Sequence, residues 1–327
     1  MSRSSLFNRL KPDGFTLALV ATVVVASLLP CWGRGAVVFG AVTDVAIGLL
    51  FFLHGAKLSR EAIVAGAGHW RLHLLVLAST FVMFPLMGLA VGALPAGLVD
   101  PHVAMGVLYL CILPSTVQSS IAFTSMAGGN VPAAVCAASA SNLLGIFLTP
   151  ALAALLLGLN ADGGGGDFLE AVRAIVLQLL LPFVLGHLAR PLIGRFIDRH
   201  KRALSIVDRG SILLVVYTAF SAAVIEGLWR RLGATDLAAI VLLDAVILAA
   251  ALVATTFAAR RLGFSRADEI TVVFCGSKKS LASGVPMAGV LFTAAAVGPA
   301  LLPLMVFHQM QLMVCAVLAR RYAQVQA

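Results

Sequence analysis

The run Ile270–Phe292 reads ITVVFCGSKKSLASGVPMAGVLF, an apolar stretch of membrane-spanning length with two adjacent lysines, Lys278 and Lys279, near its middle. A lysine at the centre of a membrane helix costs about 2.5–3.5 kcal/mol on insertion scales. Two neighbours cost more, because like charges also repel. Such a pair is tolerated only where protein shields it or water reaches it. Gly276 and Ser277 precede the lysines, Ser280 follows, and Ser283, Gly284 and Pro286 lie just beyond. That composition belongs to an interrupted helix lining a polar cavity.

The rest of the chain sets the class. Its mean hydropathy is +1.02, and only 11% of its 327 residues are charged, against about 25% in soluble domains. Apolar runs near 20 residues recur, which predicts an all-α polytopic membrane protein rather than a barrel. Ten helices are expected at 13–32, 36–54, 72–93, 103–127, 131–158, 168–189, 209–229, 235–260, 268–293 and 298–320. The fourth is broken at Pro114–Ser120 and the ninth at Cys275–Ser280. The basic N-terminus leads into a first membrane helix rather than a cleaved signal. Lys57–Trp70 is too polar to span and reads as an amphipathic surface helix.

The positive-inside rule orients these spans. With a cytoplasmic N-terminus, the inner segments hold Arg3, Arg9 and Lys11, then Lys57, Arg60 and Arg71, and a cluster from Arg190 to Arg209. Arg260, Arg261, Arg266, Arg320 and Arg321 follow on the same side, against Arg34, Arg173, Arg230 and Arg231 outside. Both termini are therefore expected in the cytoplasm, with the chain in the cell (inner) membrane. The net charge of +9 reports topology, not nucleic-acid binding. The five cysteines (Cys31, Cys111, Cys136, Cys275, Cys315) lack metal or redox spacing and read as small core residues.

A glycine-rich segment, 159–167, divides the chain almost in half. Five helices on each side, 1–158 and 168–327, give halves of opposite orientation: two inverted five-helix repeats. Each half carries its break in its fourth helix, about 160 residues apart, and paired interruptions point to a transport site near the bilayer midplane.

The polar residues gather at those breaks. Pro114 is followed by Ser115, Thr116, Gln118, Ser119 and Ser120, which can satisfy freed backbone groups or offer oxygens to a solute. Helix five adds Ser139, Ser141 and Asn142. Asn142 needs partners in hydrocarbon, whereas the serines either line a site or let helices pack closely. Ser277, Lys278, Lys279 and Ser280 lie within the second break. His308 and Gln309, with Gln311 beside them, are either packing residues or members of a relay. Asp44 and Asp244 are the deep acids that could neutralise a lysine, and Asp244 is the preferred partner. Each lysine could pair with an acid, lose its proton, or hold an anionic substrate. A titrating lysine would couple transport to protons.

The segments FFLHGAKLS (51–59), LPSTVQSS with GGNVPAA, SASN and LTP (113–150), and FCGSKKSLASGVPM (274–287) resemble the bile acid:sodium symporter superfamily. They are most similar to its orphan branch, whose vertebrate member is linked to calcium homeostasis. The resemblance implies a panel domain of helices 1, 2, 6 and 7 facing a core domain of helices 3–5 and 8–10, in which the broken helices four and nine cross. It also implies alternating access and a sodium site, but the sodium ligands depart from the pattern. The helix-four pair is Ser119–Ser120, the helix-five hydroxyl positions are Ala134 and Ala138, and the helix-nine glutamate position is Phe274. The glutamine and asparagine positions are Lys278 and Lys279. Protonated lysine offers no oxygen or lone pair, so a lysine ammonium stands where sodium stands in relatives.

The resulting expectation is a secondary transporter of a small organic anion or other small-molecule or ion substrate, working in a lipid bilayer. No cofactor, confident metal ligand or enzyme motif is read. Sodium coupling is in doubt and protons are favoured. The alternatives are a non-transporting regulator of calcium flux and, third, a cation/proton antiporter. The sequence sets no oligomeric state.

Overall fold

Prolines and glycines divide the apolar runs into long helices and two pairs of half-helices. The computed structural model describes residues 14–57, 68–95, 97–158, 176–231 and 233–326. Every regular element among them is helical: α1 (Gly14–Leu28), α2 (Arg34–Lys57), α3 (Trp70–Gly92), α4 (Pro101–Ile112), α5 (Gln118–Met126) and α6 (Val131–Leu156), then α7 (Leu181–Arg199), α8 (Lys201–Ile225), the short α9 (Leu228–Arg231), α10 (Ala234–Arg261), α11 (Arg266–Gly276), α12 (Leu281–Leu291) and α13 (Ala294–Gln326). Seven helices among the described residues are long and apolar enough to cross a membrane, and Leu17–Leu28 and Pro101–Ile112 are shorter apolar helices. Many large apolar side chains, such as Val37, Leu192, Val253 and Phe257, are exposed. An outward-facing apolar surface suits lipid rather than water.

Local chemistry explains the breaks. Asp100 caps α4 by accepting from the His102 amide, with Pro101 in the first turn. The helix stops at Ile112 because Leu113 precedes a proline and is driven to extended backbone, at φ −75° and ψ 156°. Helix then resumes at Gln118. In the second run α11 is capped by Ser265, with Asp268 and Glu269 in its first turn. It ends before Ser277. Ser280 caps α12 by accepting from the Ser283 amide. Helix α3 carries a π-helical turn at Ser79–Met83, a feature often found at functional sites.

Several expected boundaries shift. The first break spans 113–117, so Gln118, Ser119 and Ser120 lie in α5; the second spans 277–280, so Cys275 and Gly276 lie in α11. The sixth helix was expected to end at 189 and the seventh to begin at 209. Instead α7 runs to Arg199 and α8 starts at Lys201. The basic stretch between them is helical because its arginines and lysines are good helix formers. The expected surface helix over 57–70 and the glycine-rich segment fall largely or wholly outside the described residues.

The helices pack in two groups. In one, α2 packs on α7, and α8 packs on α1 and α2. In the other, α3 to α6 pack with α10 to α13, and the half-helices α5 and α11 touch each other. The groups meet where α8 packs on α12 and α13. Glycine sets the closest approach in the first group. A Cβ on Gly55 would land on the Phe183 carbonyl oxygen, and one on Gly186 on the Phe52 carbonyl oxygen.

Candidate functional site

The two breaks brace each other through main-chain atoms that interrupted helices leave over. The Ser280 amide donates to the Pro114 carbonyl at 2.9 Å. Ser115 Oγ donates to the Cys275 carbonyl at 2.5 Å and Ser120 Oγ to the Phe274 carbonyl at 2.8 Å. The Ser115 amide, freed by the break, donates to Ser141 Oγ at 3.0 Å. Asn142 joins α6 to both breaks: its amide nitrogen donates to the Ser115 carbonyl at 2.6 Å, and its oxygen accepts from Ser283 Oγ at 2.7 Å. Gln311 reads the backbone of Lys279 in both directions, accepting from its amide at 2.9 Å and donating to its carbonyl at 2.8 Å. His308 Nδ1 lies 2.9 Å from Gln311 Nε2.

Beside this crossover lies a cavity of about 520 Å³, within the range of small-molecule pockets. Its crossover wall is Thr116, Val117, Gln118, Ser119, Ser139, Asn142, Ser280 to Ser283 and His308. Its other wall comes from α1, α2, α7 and α8: Phe15, Phe51, His54, Lys57, Phe183, Asp208, Arg209 and Ile212. The first turns of α5 and α12 both reach the lining, so the positive ends of two half-helices face one space. Lys57 is ion-paired to Asp208. Arg209 lies over the Phe15 ring, 5.4 Å from its centroid. The lining thus carries hydroxyls and amides on the crossover wall, and aromatic rings with charged side chains on the wall opposite.

Of the residues singled out in the sequence, Thr116, Gln118, Ser119, Ser139, Asn142, Ser280 and His308 line the cavity. Ser115, Ser120 and Ser141 are fully buried and brace backbone. Ser277 Oγ donates to the Val273 carbonyl of its own helix. Gln309 is half-buried outside the lining. Gln311, noted beside His308 and Gln309 in the sequence, holds the main chain of Lys279. His54 and Lys57 lie in the FFLHGAKLS segment and Arg209 in the basic cluster, but neither signal set them with Asp208 on the cavity's far wall, because only tertiary packing places α2 and α8 opposite the breaks.

The lysines behave differently from each other and from expectation. Both are fully buried and outside the lining. Lys278 Nζ has no hydrogen-bond partner and sits over the Phe123 and Phe274 rings, 4.1 and 5.5 Å from their centroids. Lys279 Nζ donates to three carbonyls, those of Thr80 at 2.8 Å and of Cys111 and Leu113 at 2.7 Å. Among the described residues no ion pair links either lysine to an acid, which corrects the expected pairing with Asp244 or Asp44. Asp244 is fully buried without a hydrogen-bond partner; the Phe307 amide is nearby but outside bonding geometry. Asp44 lies on the exposed side of α2. The physical reason is that backbone carbonyls freed at helix interruptions already meet Lys279.

Where the resemblance implied sodium oxygens, Ala134, Ala138 and Phe274 are buried apolar side chains. Among the described residues, no group of three or more His, Cys, Asp or Glu could hold a metal ion.

Comparison with known proteins gives concordant matches. The model of the SBF-like CPA transporter family matches residues 13–324. "Uncharacterized protein PA2026" of Pseudomonas aeruginosa is 64% identical over 316 residues, covering 97% of this chain and 94% of the relative. "Putative symporter YfeH" of Escherichia coli K12 is 60% identical over 310 residues, covering 95% and 92%. "Sodium/bile acid cotransporter 7" of Rattus norvegicus is 26% identical over 322 residues, covering 96% and 93%.

Proposed function

The chain belongs to the SBF-like CPA transporter family, and on that premise we propose that its cavity carries a small organic anion with an apolar body by alternating access. The observation that carries this reading is the pair of half-helix N-termini on one cavity wall opposite Arg209 and His54. Two positive helix ends and a guanidinium favour a carboxylate or sulfonate. Phe51, Leu143, Ile146, Phe183 and Met287 offer the apolar surface for its body. The name of the rat relative, a sodium/bile acid cotransporter, is consistent with an amphipathic anion.

The moving parts follow from the two packing groups. The α1, α2, α7, α8 group is the panel, and α3–α6 with α10–α13 is the core. In this reading the ten spans form two inverted repeats, 1–158 and 168–327, joined through 159–167. The cavity lies between panel and core near Lys57 and Arg209, the end that the positive-inside rule assigns to the cytoplasm. The chain is then inward-open in the inner membrane, with cytoplasmic termini.

Coupling is to protons, through Lys278. Its ammonium has aromatic faces but no hydrogen-bond acceptor, so only the two rings favour the charged state. A hydroxyl chain leads toward it from the cavity: Ser119 donates to Thr116, Thr116 meets Ser120, and Ser120 donates to the Phe274 carbonyl. A second reading, a cation/proton antiporter, is favoured by the buried, unpartnered Asp244.

The test is a thermal-shift screen of the purified protein with amphipathic carboxylates and their neutral amides, followed by uptake into proteoliposomes. Stabilisation and uptake of carboxylates alone supports the anion reading. Indifference to every anion, with cation-driven release of an internal proton load that Asp244→Asn removes, would replace it by the antiporter.

A further inference from the structure

The Lys279 ammonium has the surroundings of a bound cation. Three main-chain oxygens converge on it at 2.7–2.8 Å, and the Phe84 ring lies beneath it, 4.2 Å from nitrogen to centroid. All the acceptors are uncharged. The count matches the chemistry, since a protonated lysine has three N–H donors and no acceptor. A neutral amine, with two N–H donors, would leave one carbonyl unpaired and facing its lone pair.

Sequence makes each oxygen available. Helix α3 is in π register at Ser79–Met83, where the Thr80 carbonyl would pair with the amide five residues on. That residue is Pro85, which has no amide hydrogen. Cys111 and Leu113 lie at the terminated end of α4, where carbonyls lack helical partners and the helix dipole is negative. The amide of Ser115, which would have closed on Cys111, goes to Ser141 Oγ instead. Two separate helix interruptions therefore aim carbonyls at one point, as carbonyl-built ion sites do.

We infer that these three carbonyls and Phe84 form a monovalent-cation site that the chain fills with its own side chain, and that a small free cation enters it when Lys279 is shortened. The wild-type protein then needs no sodium at this point, because its cation is tethered. The N···O spacing suits potassium, ammonium or methylammonium better than the smaller sodium. This inference rests on the carbonyl cage alone and holds whatever the main cavity carries.

The experiment compares wild type with Lys279→Ala in detergent, measuring unfolding midpoints in methylammonium, potassium, sodium and choline chlorides at equal ionic strength. Wild type should show the same midpoint in all four. Lys279→Ala should be lowest in choline and rise saturably with methylammonium or potassium, by roughly 2 °C at ten times the dissociation constant. A variant recovered in none of these salts, or one responding no more than wild type, overturns the inference. Lys279→Met supplies a second check, because it fills the space without the charge. It should unfold below wild type in every salt, with no cation rescue. A methionine variant as stable as wild type would mean that the carbonyls require no cation, and would also overturn it.

Discussion

The backbone amide of Ser280 donates a 2.9 Å hydrogen bond to the carbonyl of Pro114. Pro114 lies within the first helix interruption and Ser280 closes the second. The bond therefore makes the two breaks a single structural unit. Ser115 to Cys275 and Ser120 to Phe274 reinforce it. The unit presents two helix starts to the cavity while keeping most of its own backbone groups satisfied.

Removing a brace should destabilise the protein without touching the cavity. Ser141→Ala leaves the buried Ser115 amide without its acceptor, at a cost of about 1–3 kcal/mol. The expected result is a lowered thermal midpoint in detergent with unaltered ligand affinity in the surviving folded fraction. An unchanged midpoint would mean that water or another group takes over the amide.

Gln311→Leu should be more damaging. It strands both the amide and the carbonyl of Lys279, at about 1–3 kcal/mol for each buried group. Gln311→Glu keeps the acceptor and loses the donor, so its midpoint should fall between those of leucine and wild type. Size-exclusion profiles and melting curves of the two variants check the order.

Gly186→Ala should separate α7 from α2. The added methyl has no room against the Phe52 carbonyl, and overpacking costs typically about 1–3 kcal/mol or more. The effect should appear as poor recovery of folded protein. Gly40→Ala, where nothing lies within reach of a Cβ, should express like wild type.

Lys278→Met tests the proton reading. Methionine keeps an unbranched apolar stem and packs well on Phe123 and Phe274, so the variant should fold at least as stably as wild type. Uptake into proteoliposomes should lose its dependence on a pH gradient. A variant with the wild-type pH profile would place the coupling proton elsewhere.

Ser139→Trp fills the cavity from α6, where the serine lines it. Uptake should fall to background while the thermal midpoint stays near that of wild type, since Ser139 is half-buried and open to the cavity. Ser141→Trp, two residues on in the packed brace, should fail to fold.

Much of this was legible before any tertiary contact was known. Membrane length and apolarity predicted an all-helical polytopic chain. The quoted motifs identified the superfamily, and the family and relative matches bear that out. The breaks at Pro114 and at Ser277–Ser280 follow from residues that act locally: a proline fixes its predecessor, and a serine caps the next helix. Asn142 was recognisable because an amide in hydrocarbon needs partners, and it has them.

What tertiary structure alone decided is where the lysines point. The sequence offered acids as partners, but Lys279 meets the carbonyls of Thr80, Cys111 and Leu113. Every residue carries a carbonyl, so side-chain identity cannot mark which ones a distant lysine will reach; only Pro85 hinted that one was free. The division of Ser115, Ser120 and Ser141 from Ser119 and Ser139, brace from cavity wall, also depends on which face each helix turns to its neighbours. Local chemistry determined that the helices break. Packing of the broken ends determined that one lysine would meet three carbonyls and the other two ring faces.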